Sequence, residues 1–420
     1  MAAFVLIVIV LCGRFTVGPI STFAQHKAVM NQTEVISRRR FVRTAGAVSA
    51  IGIGLSANAA VAHVHDTSVI SKTPDLYCGW PTLTRRADGQ LLVVWSGGRE
   101  QHVCPFGRVE MMRSDDDGKT WTWPRTLLDG AIDDRDAGVL ETAKGSLLVT
   151  TFTSLAYESY ELNKAIARQA GDPGAWPEEK LARWLSVHNR LNEQQRQAEL
   201  GQWMIRSTDG GITWSERYSS IVNSPHGPIQ LADGRLLYAG VKLWDTDREV
   251  GVCQSSDDGK TWQWLAKVPT RDGDDYKNYH ELHAVEATNG RIVVHIRNHN
   301  SANKGETLQC ESTDGGKSWT MPHSIGVWGL PSFLLRLRDG RLLMSYGYRR
   351  APFGNQARFS DDHGVTWSEP LTISDDGIGG DLGYPSTVEL DDGSLLTVWY
   401  EKMKDSAKAV LRQARWSIDS

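Results

Sequence analysis

The 420-residue chain is short of the usual signatures of cofactor chemistry. It has no Walker loop, no dinucleotide fingerprint, no G-x-S-x-G and no H-E-x-x-H, so no cofactor is expected. Cysteine is scarce, with five in all, and none forms a C-x-x-C pair of the zinc-binding kind. Cys12 lies near the N-terminus; Cys78, Cys104, Cys253 and Cys310 read either as core thiols or as one or two disulfides. Charge of one sign is also lacking. A formal net charge of −4 gives no reason to expect nucleic acid or an anionic membrane as partner. Apolar residues make up 40% and charged residues 23%, as in ordinary globular chains.

Residues 1–62 read as a leader. "SRRRFVRTAGAVSAIGIGLSANAAVA" places Arg38–Arg40 and Phe41 before a mild Ala/Gly-rich stretch and small residues suited to cleavage. That pattern is a twin-arginine signal, and it predicts a periplasmic or secreted protein whose mature chain starts near Ala60–His63. The stretch is too short and too weakly apolar for a membrane span, so no stable insertion is expected after processing. "FVLIVIVLCG" at Phe4–Gly13 could act as an anchor, but Met30 stands where such a leader would begin. The first 29 residues are therefore expected to come from a misplaced start.

What the chain has in abundance is repetition. "SDDDGKTW" at Ser114–Trp121 recurs as Ser207–Trp214, Ser255–Trp262, Ser312–Trp319 and Ser360–Trp367, each fitting S-x-D-x-G-x-[ST]-W. The pattern encodes a turn. The Asp accepts backbone N–H bonds, the Gly supplies positive φ, and the Trp returns to packed structure. These acidic residues are therefore read as structural. Five of the 16 Trp belong to the copies. A second repeat is strand, D/N/K-G turn, strand, beginning at Gly79, Asp134, Ser224, Tyr279, Gly329 and Gly383.

Six such units predict an all-β, six-bladed β-propeller over residues 63–420, with a repeat solenoid as the alternative. The first strand of each blade would line the central channel. A strand near Thr67–Lys72 would join the last blade and close the ring. Between blade-two strands, residues of about 155–200 break the spacing. Leu181, Trp184, Leu185 and Leu191 recur at helical intervals after Pro177, which predicts one short and one longer helix. That insertion either shapes a substrate entrance or serves packing or dimerisation; the oligomeric state is open.

Reactive residue types cluster where the inner strands begin: Arg135 and Asp136, His226, His280, Glu281, His283 and Tyr384, joined by Arg297, Arg349 and Arg350. His280, His283, His295 and His299 suggest a metal only if they converge. His280 and His283 are an odd number apart and would face opposite ways in a regular strand, so no metal site is expected.

The five octapeptides within six blade units resemble the Asp boxes of the sialidase (neuraminidase) superfamily, over roughly Asp75–Ile418. "YHELHAVEATNGRIVVHIRN" is similar to the sialidase stretch with a Glu before a hairpin and an Arg after it; "GYPSTVELDDGSLLTVWYE" is similar to the segment bearing the catalytic Tyr. The resemblance implies Tyr384 as nucleophile, Glu281 as its base, Arg297 as a carboxylate-binding Arg, and Arg349 or Arg350 as another. A neutral phenol suits a sugar that carries a carboxylate at its anomeric carbon, because an anionic nucleophile would be repelled. Bidentate guanidinium contacts suit that carboxylate.

Two departures stand out. Where the family opens blade one with Arg-Ile-Pro, this chain has Gly79-Trp80-Pro81. The loop expected to hold the acid/base Asp reads "GGREQHVCPFGR", which has no Asp and offers Arg99, Glu100 and His102. Arg135 and Asp136 are the replacement candidates for the missing Arg and acid, with His102 a second candidate acid and Asp134 a weaker one. Three functions follow: a retaining exo-sialidase or relative cleaving an acidic sugar; a lyase or other glycosidase on uronic-acid polysaccharide, with His226 or His283 working beside Tyr384; or a non-catalytic glycan-binding propeller. A glycan or acidic sugar is the expected partner in each.

Overall fold

The computed structural model describes residues 61–419; the proposed leader lies outside the described residues. Twenty-four strands form six four-stranded antiparallel sheets. Each second strand is an apolar run, such as Leu91–Arg99, Leu147–Ser154 and Leu395–Lys402. Such runs reflect burial on both faces, because every blade is covered by a neighbour on each side. Leu92 and Val94 of blade one pack on Val139, Leu147 and Val149 of blade two. Leu343 and Phe359 of blade five meet Trp399 and Trp416 of blade six.

Closure comes from the N-terminal strand. Val61–Val69 pairs with Ala409–Asp419 as the outermost strand of blade six, beginning earlier than the sequence pattern places it. The last blade is thus built from both ends of the propeller, and its open edge is filled.

The octapeptides are blade-to-blade fasteners. In the first, Ser114 Oγ donates to Asp116 at 2.8 Å, while the Thr120 N–H and hydroxyl donate to the same carboxylate at 2.8 and 2.6 Å. Those bonds hold Asp116 below its ordinary value against the upward pull of desolvation. Trp121 is buried and its Nε1 donates to Gln413 of blade six at 2.9 Å. Trp367 of blade five likewise donates to Gln309 of blade four at 2.8 Å. All five copies follow the third strand of their blades and lie at the face where the first strands end. The first strands begin at the opposite face.

The blade-two insertion lies at that opposite face, between Leu147–Ser154 and Gln202–Ser207. It holds more helix than the two segments its periodicity predicts. A π-helical turn (Glu158–Leu162) runs into Asn163–Ile166, followed by helices Glu178–His188 and Glu193–Ala198. The last starts at a capping box between Asn192 and Gln195. Trp184, Tyr157 and Leu162 bury together with Cys104 from the blade-one loop. Glu100 of that loop accepts from Trp184 Nε1 at 2.8 Å and from Arg183 Nε at 2.5 Å. Cys78, Cys104, Cys253 and Cys310 are buried and unpaired. No helix among the described residues is long and apolar enough to cross a membrane.

Candidate active site

Four inner strands shift register near their start; in blade four the shift falls between His280 and Leu282, and in the other three it is coupled to positive φ. Blades one, two and six each carry a register shift near the start of the first strand, after Gly79, Arg135 and Gly383. At each shift a non-glycine residue takes positive φ: Trp80 at 56°, Asp136 at 45° and Tyr384 at 54°. Such backbone costs roughly 1–3 kcal/mol per residue and persists only where its surroundings enforce it. The three bulges turn Trp80, Asp136 and Tyr384 toward one another at the mouth of the channel. Trp80 and Tyr384 rings lie 6.4 Å apart. Asp136 raises the Tyr384 phenol's pKa by its charge. Close by, Gly138 meets Gly227 of blade three; a Cβ on Gly138 would stand 2.5 Å from the Gly227 nitrogen, so only glycine permits this approach.

Glu281 is the centre of the cluster. Tyr384 Oη donates to its Oε1 in a short bond, and Arg297 Nη1 donates to its Oε2 at 2.5 Å and to Tyr384 Oη at 3.1 Å. Burial pushes the Glu281 carboxyl up, but the Arg297 guanidinium and the Tyr384 hydroxyl outweigh it and bring it down to about 2. Glu281 is therefore a carboxylate at any ordinary pH. Burial first, and the Glu281 charge second, push the Tyr384 phenol well above its usual range. The pair is a neutral phenol with its proton aimed at a base.

Arginines surround this pair. Arg297 Nε donates to His299 Nε2 at 2.7 Å, and the His299 ring lies 4.4 Å from that of His280. Burial drives both imidazoles down to about 4, so His299 is a neutral acceptor. Arg349 Nε donates to the Leu382 carbonyl at 2.9 Å, and its guanidinium lies 5.7 Å from the Tyr384 ring centre. Arg135 lies 4.5 Å over the Trp80 ring.

Asp136 is 7% exposed and has no protein hydrogen bond among the described residues. Burial raises its carboxyl to about 7 despite Arg135 nearby. A carboxyl that holds its proton more tightly folded than unfolded loses stability as pH climbs from about 4 to about 7. Asp136→Asn is therefore expected to stabilise the protein by roughly 2–4 kcal/mol at pH 8 and by little at pH 4.5. Denaturant melts at the two pH values check this.

Other candidates fall elsewhere. Arg350 is exposed and stacks on Trp328 at 4.8 Å, pointing away from Tyr384, so of the adjacent arginines only Arg349 faces the cluster. The His226 ring lies 6.2 Å from the Tyr384 ring and 5.3 Å from that of His283 deeper in the channel, and both imidazoles pack on Phe333. Burial drives His226 down to about 3 and His283 well below its usual value. They line a cavity of about 470 Å³ toward the far end of the inner strands, which Tyr384 and Glu281 do not line. Asp134 is buried against the Gly130 N–H, outside the cluster. In the blade-one loop, Arg99 is committed to Asp133 and Glu100 to the insertion, which leaves His102 facing the site. Sequence reasoning missed Trp80 as a wall, and missed Tyr77, Asp381 and Tyr400. The shared G-[WY]-P at Gly79 and Gly383 was the available signal for Trp80.

The family model for the BNR repeat-like domain matches residues 155–397. The chain belongs to that family. A sialidase from Bacteroides fragilis is 24% identical over an alignment 356 residues long that covers 76% of this chain and 59% of that protein. The chain thus spans about three-fifths of the length of that relative. A Dyadobacter fermentans protein of unknown function superposes with a TM-score of 0.68 at 21% identity, covering 85% of this chain and 99% of the other. The Hadza microbial sialidase superposes with a TM-score of 0.56 at 20% identity, covering 80% and 65%. The six-bladed propeller fold is shared with the sialidase structure.

Proposed function

We infer that this BNR-repeat propeller is a retaining exo-glycosidase that removes a terminal sialic acid or a related acidic sugar from a glycan. The observation that carries this reading is the Tyr384–Glu281–Arg297 arrangement: a neutral phenol hydrogen-bonded to an ionised carboxylate at the channel mouth. Tyr384 Oη attacks the anomeric carbon and its proton passes to Glu281. Arg297, Arg349 and Arg135 hold the sugar's carboxylate; Arg297 Nη2 has no protein hydrogen bond among the described residues. Asp136 and His102 are the candidate acids. A twin-arginine leader, which the sequence at Arg38–Phe41 suggests, would place that action outside the cytoplasm.

One observation favours a second reading. The His226 ring lies 6.2 Å from the Tyr384 ring, so a His/Tyr pair stands where a lyase acting on a uronate would need one. The test is purified protein with a fluorogenic α-sialoside and, in parallel, uronate polysaccharides. Release of the fluorophore supports the glycosidase. Ultraviolet-absorbing unsaturated products without release would replace it by the lyase.

A further inference from the structure

His102 lies at the exposed rim of the site, yet its ring is held as firmly as a buried one. Its Nδ1 is 3.0 Å from Asp381 Oδ1 and 2.8 Å from Tyr77 Oη. Tyr77 and Tyr400 donate to the same Asp381 oxygen at 2.9 and 3.1 Å. Asp381 stands three residues before Tyr384 on blade six, so one carboxylate gathers an imidazole and two phenols from blades one and six. Burial raises the Asp381 carboxyl, but His102, Tyr77 and Tyr400 more than offset that and hold it below its ordinary value. With both phenols donating, Nδ1–H donates to Asp381 as well, and Nε2 is the free nitrogen. The His102 carbonyl accepts from Arg99 Nη2 at 3.1 Å, and the insertion grips the loop through Glu100. The His102 ring meets Trp80 at 5.0 Å, on the same Trp80 ring that borders Tyr384 at 6.4 Å.

Exposure decides between the two candidate acids. A nucleophile buried just inside the channel mouth expels the leaving glycan toward solvent. The His102 side chain is 48% exposed, whereas Asp136 is 7% exposed. We propose that His102 Nε2 is the general acid/base toward the leaving glycan and that Asp381, with Tyr77 and Tyr400, is the positioning group that fixes its tautomer.

This rests on the glycosidase reading above. Before the first step the free Nε2 takes up a proton from solvent, making His102 an imidazolium with Nδ1–H on Asp381; that Nε2 proton then passes to the glycosidic oxygen, which takes the electron pair of the breaking C–O bond. Tyr384 Oη bonds to the anomeric carbon and gives its proton to Glu281. In the second step a water attacks that carbon and yields a proton to Nε2. The bond to Tyr384 breaks with its electron pair on the phenol oxygen, which recovers its proton from Glu281. The arrangement performs the roles of a His–carboxylate pair in acyl transfer. The charged and titratable groups facing the ring are Asp381, Tyr77 and Tyr400; Arg99 reaches only its carbonyl, and Glu100 is tied to Arg183.

The test compares wild type, His102→Ala, Asp381→Asn and Asp136→Asn on an aryl glycoside with a good leaving group and on an alkyl-linked glycoside of the same sugar. His102→Ala is expected to lose roughly 10²–10⁴ in kcat/KM on the alkyl-linked substrate and less than about tenfold on the aryl one. Asp381→Asn is expected to shift the alkaline limb of the pH profile. Equal losses on both substrates, or leaving-group dependence in Asp136→Asn instead, would overturn the assignment. Selective ¹⁵N-histidine NMR of the full chain needs no turnover. A His102 ring with Nδ1–H and free Nε2 that loses this tautomer in Asp381→Asn supports the pair; a ring indifferent to Asp381→Asn sinks it. An inactive wild type that keeps the tautomer coupling therefore counts against the glycosidase reading and not against the His102–Asp381 pair.

Discussion

Tyr384→Phe is expected to lower kcat on the acidic glycoside that the wild type cleaves by roughly 10³-fold or more, with KM little changed. The substitution removes one oxygen. That oxygen is the nucleophile, and its hydrogen bond to Glu281 is also the route by which its proton leaves. Without it no covalent glycosyl–enzyme forms, and the two easier steps revert to one hard one. The aromatic ring survives to pack against Trp80 and Tyr400, so the pocket keeps its shape. Glu281 keeps its Arg297 partner at 2.5 Å and remains ionised and compensated. Thermal stability should therefore change little, which separates loss of chemistry from loss of fold. Steady-state kinetics with a parallel melt makes the measurement. A raised KM with unchanged kcat would mean that Tyr384 only binds sugar.

Much of this architecture was legible because its code is local. Each octapeptide closes its own hydrogen bonds within eight residues, and each D/N/K-G turn fixes a hairpin, so six units could be counted directly. Tyr384, Glu281 and Arg297 were singled out through the resemblance of their segments to sialidase ones, and the fold brings the three side chains into contact. What escaped depends on parity and on distant partners. Arg349 and Arg350 follow the end of their strand at Tyr348, where strand parity no longer applies, and one meets the Tyr384 ring while the other stacks on Trp328, so spacing alone does not choose between them. Bulges at Trp80, Asp136 and Tyr384 reset that parity where it matters most. Asp381 acquires meaning only through His102, 279 residues earlier in the chain. Glu100 looked as available as His102 until the insertion claimed it.

Arg99→Leu is expected to destabilise the propeller by roughly 3–5 kcal/mol in denaturant melts, because it strands a buried carboxylate. Arg99 and Asp133 side chains are both fully buried, joined by two bonds of 2.6 and 2.9 Å between blades one and two. Burial pulls the guanidinium down, but the Asp133 charge outweighs it and holds it above its ordinary value. With Arg99 gone, Asp133 keeps only Arg135 at 3.6 Å. That remaining contact would draw Arg135 off the Trp80 ring and out of the place proposed for the sugar carboxylate. Arg99 also supports the loop itself, donating to Ser96 and to the His102 carbonyl. The double variant Arg99→Leu/Asp133→Leu removes both charges and should recover much of the stability, since buried pairs contribute little net over apolar replacements. It should not recover activity, because nothing then holds the His102 carbonyl or Arg135 in register. Recovery of both would mean that the pair is a fold element alone, and that the blade-one loop reaches its working geometry through the helical insertion without Arg99.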